Sequence, residues 1–459
     1  MFSVSMFNPQ LLKGVRHLHF VGVGGSGMYP LVQILASKGY EISGSDVLEG
    51  SLTQAERAMG VTVKIGHHPA NIDGADMVVY SAAIHPDNCE LIAAGQRGIP
   101  CVERSILLGY VSRLYPNCVG VAGTHGKTTT TGMITTLLEL AGKDPSCVIG
   151  GKLPLIGGYG KAGTGDSIVV EACEFSETFL HLTPTLGIIL NIDNDHLDYF
   201  GTMGKLKLAF QKYALMCKTV CFNMDDQNCM DVVNTIDRPV RSFSTKYEEA
   251  YYFADNIREY KPGYYEFDVK ELGVPFTHIQ LGVPGYHNIY NALAMCCAVR
   301  AFHLDPEDAA RAAQSFTGTG RRFENRGTTP SGAVVIDDYA HHPTEMEATL
   351  KTARDLGYDR VIAVHQPFTY SRTKSLMDDF VRVLSMADEV VLEPILGSRE
   401  INDGSVSSQD LADRLEHCHL VGSHQEAAQY VREHYGKGDL ILCMSCGDLY
   451  KAALAMVEE

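Results

Sequence analysis

The sequence predicts an α/β protein built as three domains, residues 1–115, 116–320 and 321–459. Three observations predict it. The chain has 459 residues, about three times the ~150 of an ordinary domain. Apolar runs of strand length alternate with segments of helical period, the pattern of βαβ units and a mostly parallel sheet. Two of the strands also hand over to a helix through glycine turns, at 22–27 and again at 123–126. A composition of 45% hydrophobic and 20% charged residues supplies apolar side chains for several cores.

The first block opens with HLHFVGVG (17–24), a short apolar run ending in glycines. A helical segment follows, then strands at YEISGSD (40–46), VTVKIG (61–66) and DMVVYSAAI (76–84). The second block opens with CVGVAG (118–123) and continues in a helical pattern through Leu140. Its runs SIVVEACE (167–174) and LGIILNIDNDH (186–196) are nearly continuous in apolar residues before they end in acids and His. Parallel strands buried on both faces read this way. The third block has AVVIDDYAHHP (333–343), DRVIAVHQP (359–367), EVVLEPI (389–395) and DLILCMS (439–445), with helical stretches such as PTEMEATLKTARDL between them. YVSRLYPN (110–117) and TGTGRRFENRG (317–327) are polar or Gly-bearing and read as joints.

Charge and composition narrow the function. With 55 acids against 38 Lys+Arg, the formal charge of −17 repels phosphate backbones, so nucleic acid is not an expected partner. The start, MFSVSMFNPQLLKG, lacks a basic region followed by an apolar core, so no secretory signal is expected. No stretch approaches 18 consecutive apolar residues, so no membrane insertion is expected either. The 13 Cys are scattered and several lie in apolar runs, as buried free thiols in a reducing cytoplasm do. Cys443 and Cys446 form a lone CxxC, which without a second pair is weak ground for zinc or redox chemistry.

The two glycine loops carry most of the chemistry. GVGGSG places Gly22, Gly24 and Gly27 as G-x-G-x-x-G between a strand and a helix, and Asp46 ends the next strand. Backbone N–H groups at a helix N-terminus hold a pyrophosphate, and an acid at that place can bond a ribose hydroxyl. NAD fits this description, and so does a UDP-sugar. The second loop, GTHGKTT, follows the apolar strand but has Val121 where a strict P-loop has Gly. Its remaining parts suit ATP. Gly123 and Gly126 permit positive φ, Lys127 reaches β- and γ-phosphates, and the Thr128 hydroxyl can ligate Mg²⁺. Thr124, His125 and Thr129 complete the cradle. A dehydrogenase needs only the first loop, and a kinase or motor only the second.

At GTHGKTTTT the sequence resembles the Mur ligases, the ATP-dependent amide-forming enzymes of peptidoglycan synthesis. HFVGVGGSGM, AGTHGKTTT, NIDNDHLDYF, VPGYHNIYNALA, GTGRRFE, IDDYAHHPTE and QPFTYSRT occur in family order over nearly the whole chain. The resemblance is greatest to members that join L-alanine to UDP-N-acetylmuramate. It implies a Rossmann-like N-terminal domain for the UDP-sugar, a central P-loop ATPase domain, and a Rossmann-like C-terminal domain that admits the amino acid. Gly24, Ser26, Gly27, Asp46 and Ser81 are then the expected UDP-sugar contacts. The alternatives are a recycling ligase that adds a preformed peptide, an NAD-dependent dehydrogenase, and a nucleotide-binding regulator without turnover.

The resemblance also assigns roles residue by residue. Glu171, at the carboxyl edge of its strand, stands where the family binds Mg²⁺; EACEFSE stands where many relatives have an acid-Glu-Ser-acid run, a departure that leaves a supporting role for Glu174 open. His196 matches a contact of a second Mg²⁺, whereas a lone His is more often structural. Phe210 stands where other ligases carry a carbamylated lysine. His287, Asn288 and Asn291 match the adenine contacts, with a helix N-cap as the plain alternative for Asn288. Arg322 of GTGRRFE matches an ATP-contacting clamp. Asp338 matches an acid near adenosine, and Tyr339, His341 and Arg372 match the amino-acid and muramate region. Relatives often carry His, and some Arg, where Phe368 and Thr369 stand here. No role is assigned to His342.

Overall fold

The computed structural model describes residues 10–398 and 400–458, and of residues 197 and 198 the backbone alone. The first nine residues, part of the stretch read above for a secretory signal, lie outside the described range. The chain divides into two compact units. One comprises Met1–Asp255, Val269–His278 and Tyr290–Ser315, and the other Asn256–Asp268, Ile279–Ile289 and Phe316–Glu459.

The first sheet is wholly parallel. Its strands are β1 (His17–Val21), β2 (Glu41–Asp46), β3 (Thr62–Ile65), β4 (Met77–Tyr80) and β5 (Cys101–Glu103), in the order β3-β2-β1-β4-β5. Alternate side chains leave opposite faces of a strand, so Leu18 and Phe20 enter one core cluster while Val21 and Val78 enter another. Helices α1 (Tyr29–Ser37), α2 (Ser51–Ala58), α3 (Cys89–Arg97) and α4 (Arg104–Ser112) form the crossovers. The order reverses between β1 and β4, and a crevice at the carboxyl ends of such strands is where α/β sheets bind ligands.

The second sheet has ten strands. They are β6 (Asn117–Ala122), β7 (Ser146–Leu153), β8 (Gly158–Lys161), β9 (Ser167–Glu171), β10 (Leu186–Ile189), β11 (Thr219–Asn223), β12 (Val240–Ser244), β13 (Tyr252–Lys261), β14 (Tyr264–Glu271) and β15 (Val274–Gln280). Their order is β15-β14-β13-β12-β11-β10-β6-β9-β7-β8. From β12 to β7 the pairing is parallel, and β8 turns back antiparallel on β7. The reversal falls at β6, which feeds α5 (Lys127–Leu140).

The third sheet has β16 (Glu324–Thr328), β17 (Val334–Asp338), β18 (Arg360–His365), β19 (Glu389–Leu392), β20 (Cys418–Leu420) and β21 (Asp439–Met444), ordered β16-β17-β21-β18-β19-β20. Among the described residues of this sheet only β16 pairs antiparallel. Its faces are both apolar: Ile336, Ala363 and Leu442 pack on one side, Val335, Ile362 and Ile441 on the other. Three parallel-rich α/β sheets are the architecture expected from the sequence.

The two expected joints lie between successive sheets in the sequence but are not bare linkers, and one apolar run is only partly strand. The stretch 110–117 begins inside α4, which continues to Ser112 because Leu107, Leu108 and Val111 are buried. The stretch 317–327 ends as β16, whose polar side chains reflect an edge position beside β17. The run 186–196 is strand only to Ile189; beyond it Leu190 and Ile192 stay buried while the chain leaves the sheet.

Candidate active site

The loop after β1 folds as its glycines allow. Gly22 has φ +80°, and a Cβ on Gly24 would lie 2.7 Å from the Thr53 methyl, so α2 approaches the backbone closely. Asp46 at the end of β2 accepts a hydrogen bond from Gly24 N (2.9 Å) and one from Leu48 N (3.3 Å). The carboxylate therefore shapes the loop, whatever else it touches. Ser81 follows β4, with its Cβ 3.6 Å from the place a Gly22 Cβ would take. Ser26 is exposed, and neither Ser26 N nor Gly27 N meets an acceptor among the described residues. Two free N–H groups at the entrance to α1 are an anion cradle.

Sequence reading missed a cation here. Arg104, the first residue of α4, lays its guanidinium over Gly27, with Nη1 3.2 Å from a Cβ built there. It is half-buried and has no acid partner among the described residues. Only the β4–α3–β5 crossover brings it to the loop, so no local motif announces it. Beneath lies Glu56 of α2, fully buried with both carboxyl oxygens unpartnered. Burial first, and then the Asp46 charge, push its pKa up to about 8.

The loop after β6 is more heavily furnished. Val121 is still within β6 and fully buried, so the loop begins at Gly123 and needs no earlier glycine. Gly123 has φ +141° and Gly126 φ +84°; a Cβ on Gly126 would lie 2.8 Å from Asn291 Oδ1. Asn191, just past β10, accepts from His125 N (2.8 Å) and donates to His125 O (3.1 Å), while Thr124 N donates to Asn191 O (3.1 Å). His125 also pairs with Asp193, Nε2 to Oδ2 at 3.0 Å. Thr129 is half-buried in the first turn of α5, where amide N–H groups lack intrahelical acceptors.

The acids of this site come from the end of β9 and the turn that follows it. Thr128 Oγ1 donates to Glu171, 2.9 and 3.0 Å from its two oxygens, and Gly150 N donates to Glu171 Oε2 at 2.7 Å. Lys127 Nζ donates to Gly123 O (2.6 Å), Thr124 O (3.0 Å) and Glu174 Oε1 (3.1 Å). Burial alone would lower the ammonium pKa, but Glu174, with Cys173 and Glu171 behind it, raises it overall. An oxygen-rich pair, hydroxyl and carboxylate, suits a hard divalent cation such as Mg²⁺. His196 has φ +55° and packs its ring 4.9 Å from Phe175, with Asp195 at 3.6 Å. Phe210 is fully buried edge-on to Phe179 and offers no ligand atom.

The helix His287–Ala301 carries the amides. Asn291 accepts from Thr130 Oγ1 (3.0 Å). Asn288 donates from Nδ2 to Pro284 O (2.6 Å) and lies inside the helix, which begins at His287, so it is not an N-cap. His287 itself is exposed.

In the other unit, Asp338 ends β17 and accepts from Phe323 N (2.8 Å) and Ala340 N (2.7 Å). Burial raises its pKa to about 6, against the pull of Arg322. The two arginines of GTGRRFE separate in role. Arg321 turns inward at φ +60°, donates to Ser445 O (2.6 Å) and Gly447 O (2.9 Å), and lies between the Tyr339 and Tyr450 rings. Arg322 lies 5.0 Å from the Tyr339 ring centre and is half-buried. His341 sits between Tyr339 and Phe368, 5.6 and 6.1 Å from their ring centres, and Arg372 lies 6.0 Å from Phe368. Thr369, β-branched yet at φ +64°, makes the turn after Phe368; such strain is characteristic of functional loops. His342 is the N-cap of the helix Pro343–Asp355, accepting from Thr344 N at 3.3 Å. Cys443 is buried against Met456, and burial pushes the Cys446 thiol up to about 12.

Comparison with known proteins fits this geometry. Three family models match in succession: the Mur ligase family catalytic domain over 17–115, the Mur ligase middle domain over 121–299, and the Mur ligase glutamate ligase domain over 321–447. The UDP-N-acetylmuramate–L-alanine ligase of Caldanaerobacter subterraneus subsp. tengcongensis is 38% identical over 455 residues, 98% of each chain. The chain is a Mur ligase. The namesake enzyme of Alkaliphilus metalliredigens is 39% identical over the full length of both chains. Among solved structures, the UDP-N-acetylmuramate–alanine ligase of Thermotoga maritima superposes on this Mur ligase with a TM-score of 0.81 at 26% identity, covering 95% of this chain and 97% of the other. A murein peptide ligase of Psychrobacter arcticus shares the fold, with a TM-score of 0.74 at 22% identity over 97% and 100% of the two chains.

Proposed function

We propose that this Mur ligase joins L-alanine to the lactyl carboxylate of UDP-N-acetylmuramate at the expense of ATP, in peptidoglycan precursor synthesis in the cytoplasm. The observation that carries the reading is a pair of unlike glycine loops. One is an anion cradle overlain by Arg104, and the other presents Lys127 and Thr128 backed by two acids. Full-length relatives at 38–39% identity bearing the name UDP-N-acetylmuramate–L-alanine ligase supply the substrates. Among the described residues no helix is long and apolar enough to cross a membrane.

A carboxylate at neutral pH is a poor electrophile. Its oxygen therefore attacks the γ-phosphorus of ATP, the bond to the β–γ bridging oxygen breaks, and ADP leaves. The alanine nitrogen adds to the resulting acyl phosphate carbonyl, loses its proton, and phosphate departs as the amide forms. Lys127 and the N–H groups of residues 127–129 neutralise the transferring phosphoryl, the dominant form of catalysis in such steps. Thr128 and Glu171 are the residues that would hold Mg²⁺, which supplies Lewis-acid charge neutralisation at the β- and γ-phosphates. His196 is assigned beside a second Mg²⁺. Asn288, Asn291 and Arg322 are assigned to ATP, with Asp338 near adenosine. Gly24, Ser26, Gly27, Asp46 and Ser81 are assigned to the UDP-sugar, and Tyr339, His341 and Arg372 to the acceptor and muramate.

Phosphate release from ATP and Mg²⁺, measured with UDP-N-acetylmuramate and with or without L-alanine, tests the reading. Release requiring both substrates, with a product heavier by one alanine residue, is expected. Release only with a peptide acceptor identifies a recycling ligase instead, and silence with every acceptor removes the ligase assignment.

A further inference from the structure

Glu174 stands out among the groups that the proposed chemistry leaves without work. It is 1% exposed, yet both its oxygens lie within reach of the Lys127 ammonium, at 3.1 and 3.0 Å. The backbone around it is held firmly. Glu177 N donates to Glu174 O (2.9 Å), Phe179 N and Thr178 Oγ1 both donate to Cys173 O (2.9 Å), and Ser176 and Glu177 take positive φ. Two consecutive residues of the loop thus meet two acids three residues apart, one ending β9 and one in the turn after it: Thr128 meets Glu171, and Lys127 meets Glu174.

We propose that Glu174 is a positioning residue for phosphoryl transfer: it keeps hold of Lys127 throughout, while the Gly123 and Thr124 carbonyls are the partners that ATP replaces. The proposal rests on the reading of loop 123–129 as the ATP site. An ammonium has three N–H donors, and here they are divided between two neutral carbonyls and one buried carboxylate. Moving Lys127 wholly onto phosphate would strand an unpaired carboxylate in the interior, the costly way to break a buried pair. Releasing two neutral carbonyls is the cheaper exchange. Nζ therefore turns about Glu174 instead of leaving it, which fixes the donor where charge develops on the γ-phosphoryl. Positioning of that kind acts on kcat more than on ATP binding.

Steady-state kinetics of Lys127→Ala, Glu174→Gln and Glu174→Asp test this, with UDP-N-acetylmuramate binding by calorimetry as the control for folding. We expect Glu174→Gln to lower kcat by about 100-fold with KM for ATP changed less than about three-fold. Glu174→Asp, which keeps the charge on a shorter stem, should recover part of that loss. Activity retained by Lys127→Ala would overturn the reading of the loop itself. An inactive Lys127→Ala beside a fully active Glu174→Gln would overturn the proposal alone. So would a Glu174→Gln enzyme with unchanged kcat and a lower KM for ATP, because Glu174 would then compete with phosphate for the lysine.

Discussion

The two glycine loops share a local plan and differ in what surrounds them. Each leaves the carboxyl end of a strand at a reversal of strand order, turns on positive-φ glycines and opens a helix. Around the first, the loop proposed to hold the diphosphate of the UDP-sugar, Arg104 is the cation and Asp46 braces the turn. Around the second, a half-buried lysine and a buried threonine are matched to two acids, and the asparagines Asn191 and Asn291 close on the backbone. The backbone motif specifies an anion. The side chains that converge on it decide whether that anion is held or transferred.

The sharpest break of the comparison is Lys127→Ala. Turnover should fall by at least about 1,000-fold in a phosphate-release assay, while calorimetric affinity for UDP-N-acetylmuramate stays within about two-fold. Equal loss of both would mean that the loops are not independent. Glu171→Gln comes next. The Mg²⁺ concentration for half-maximal rate should rise by about ten-fold or more, and an unchanged metal titration would remove Glu171 from the metal site.

On the first loop, Arg104→Ala should weaken UDP-N-acetylmuramate binding by about 10- to 30-fold, the size of one charge-assisted contact, and leave KM for ATP alone. An unaltered sugar-nucleotide affinity would leave Gly27 without its cation. The smallest effect on turnover belongs to Glu56→Leu. In the folded protein Glu56 keeps its proton up to about pH 8, whereas the unfolded chain loses it near the ordinary carboxyl value. Native stability should therefore decline as pH rises from about 4.5 to 8, and the variant should lose that slope. Melting curves at pH 5 and pH 8.5 should show the variant more stable by on the order of 1–3 kcal/mol at the higher pH only. A constant difference would show that the burial of Glu56 carries no charge cost.

Much of the site was legible because its signals are short-range. GVGGSG and GTHGKTT state their own backbone conformation, and SIVVE places an acid at a strand end from its apolar run alone. The GTGRRFE pair was only half legible, because two adjacent arginines look alike until Arg321 is seen spent on the carbonyls of Ser445 and Gly447. The two joints do fall between successive sheets in the sequence, but their polar residues gave no sign that one contains the end of a helix and the other an edge strand whose hydrogen bonds satisfy its polar backbone.

By itself, then, the sequence determined the α/β class, the two anion loops, the family and the types of residue available for phosphoryl transfer. The class follows from local periodicity, the loops from glycine, lysine and threonine at fixed spacings, and the family from the resemblance of seven motifs in family order. Only the tertiary structure decided that Arg104 overlies Gly27, that Glu174 and not a distant acid holds Lys127, and that Asn291 closes on Gly126. Each of these joins segments far apart in the chain. Strand order within a sheet determines which strand-ends meet, and spacing along the sequence carries no record of that order.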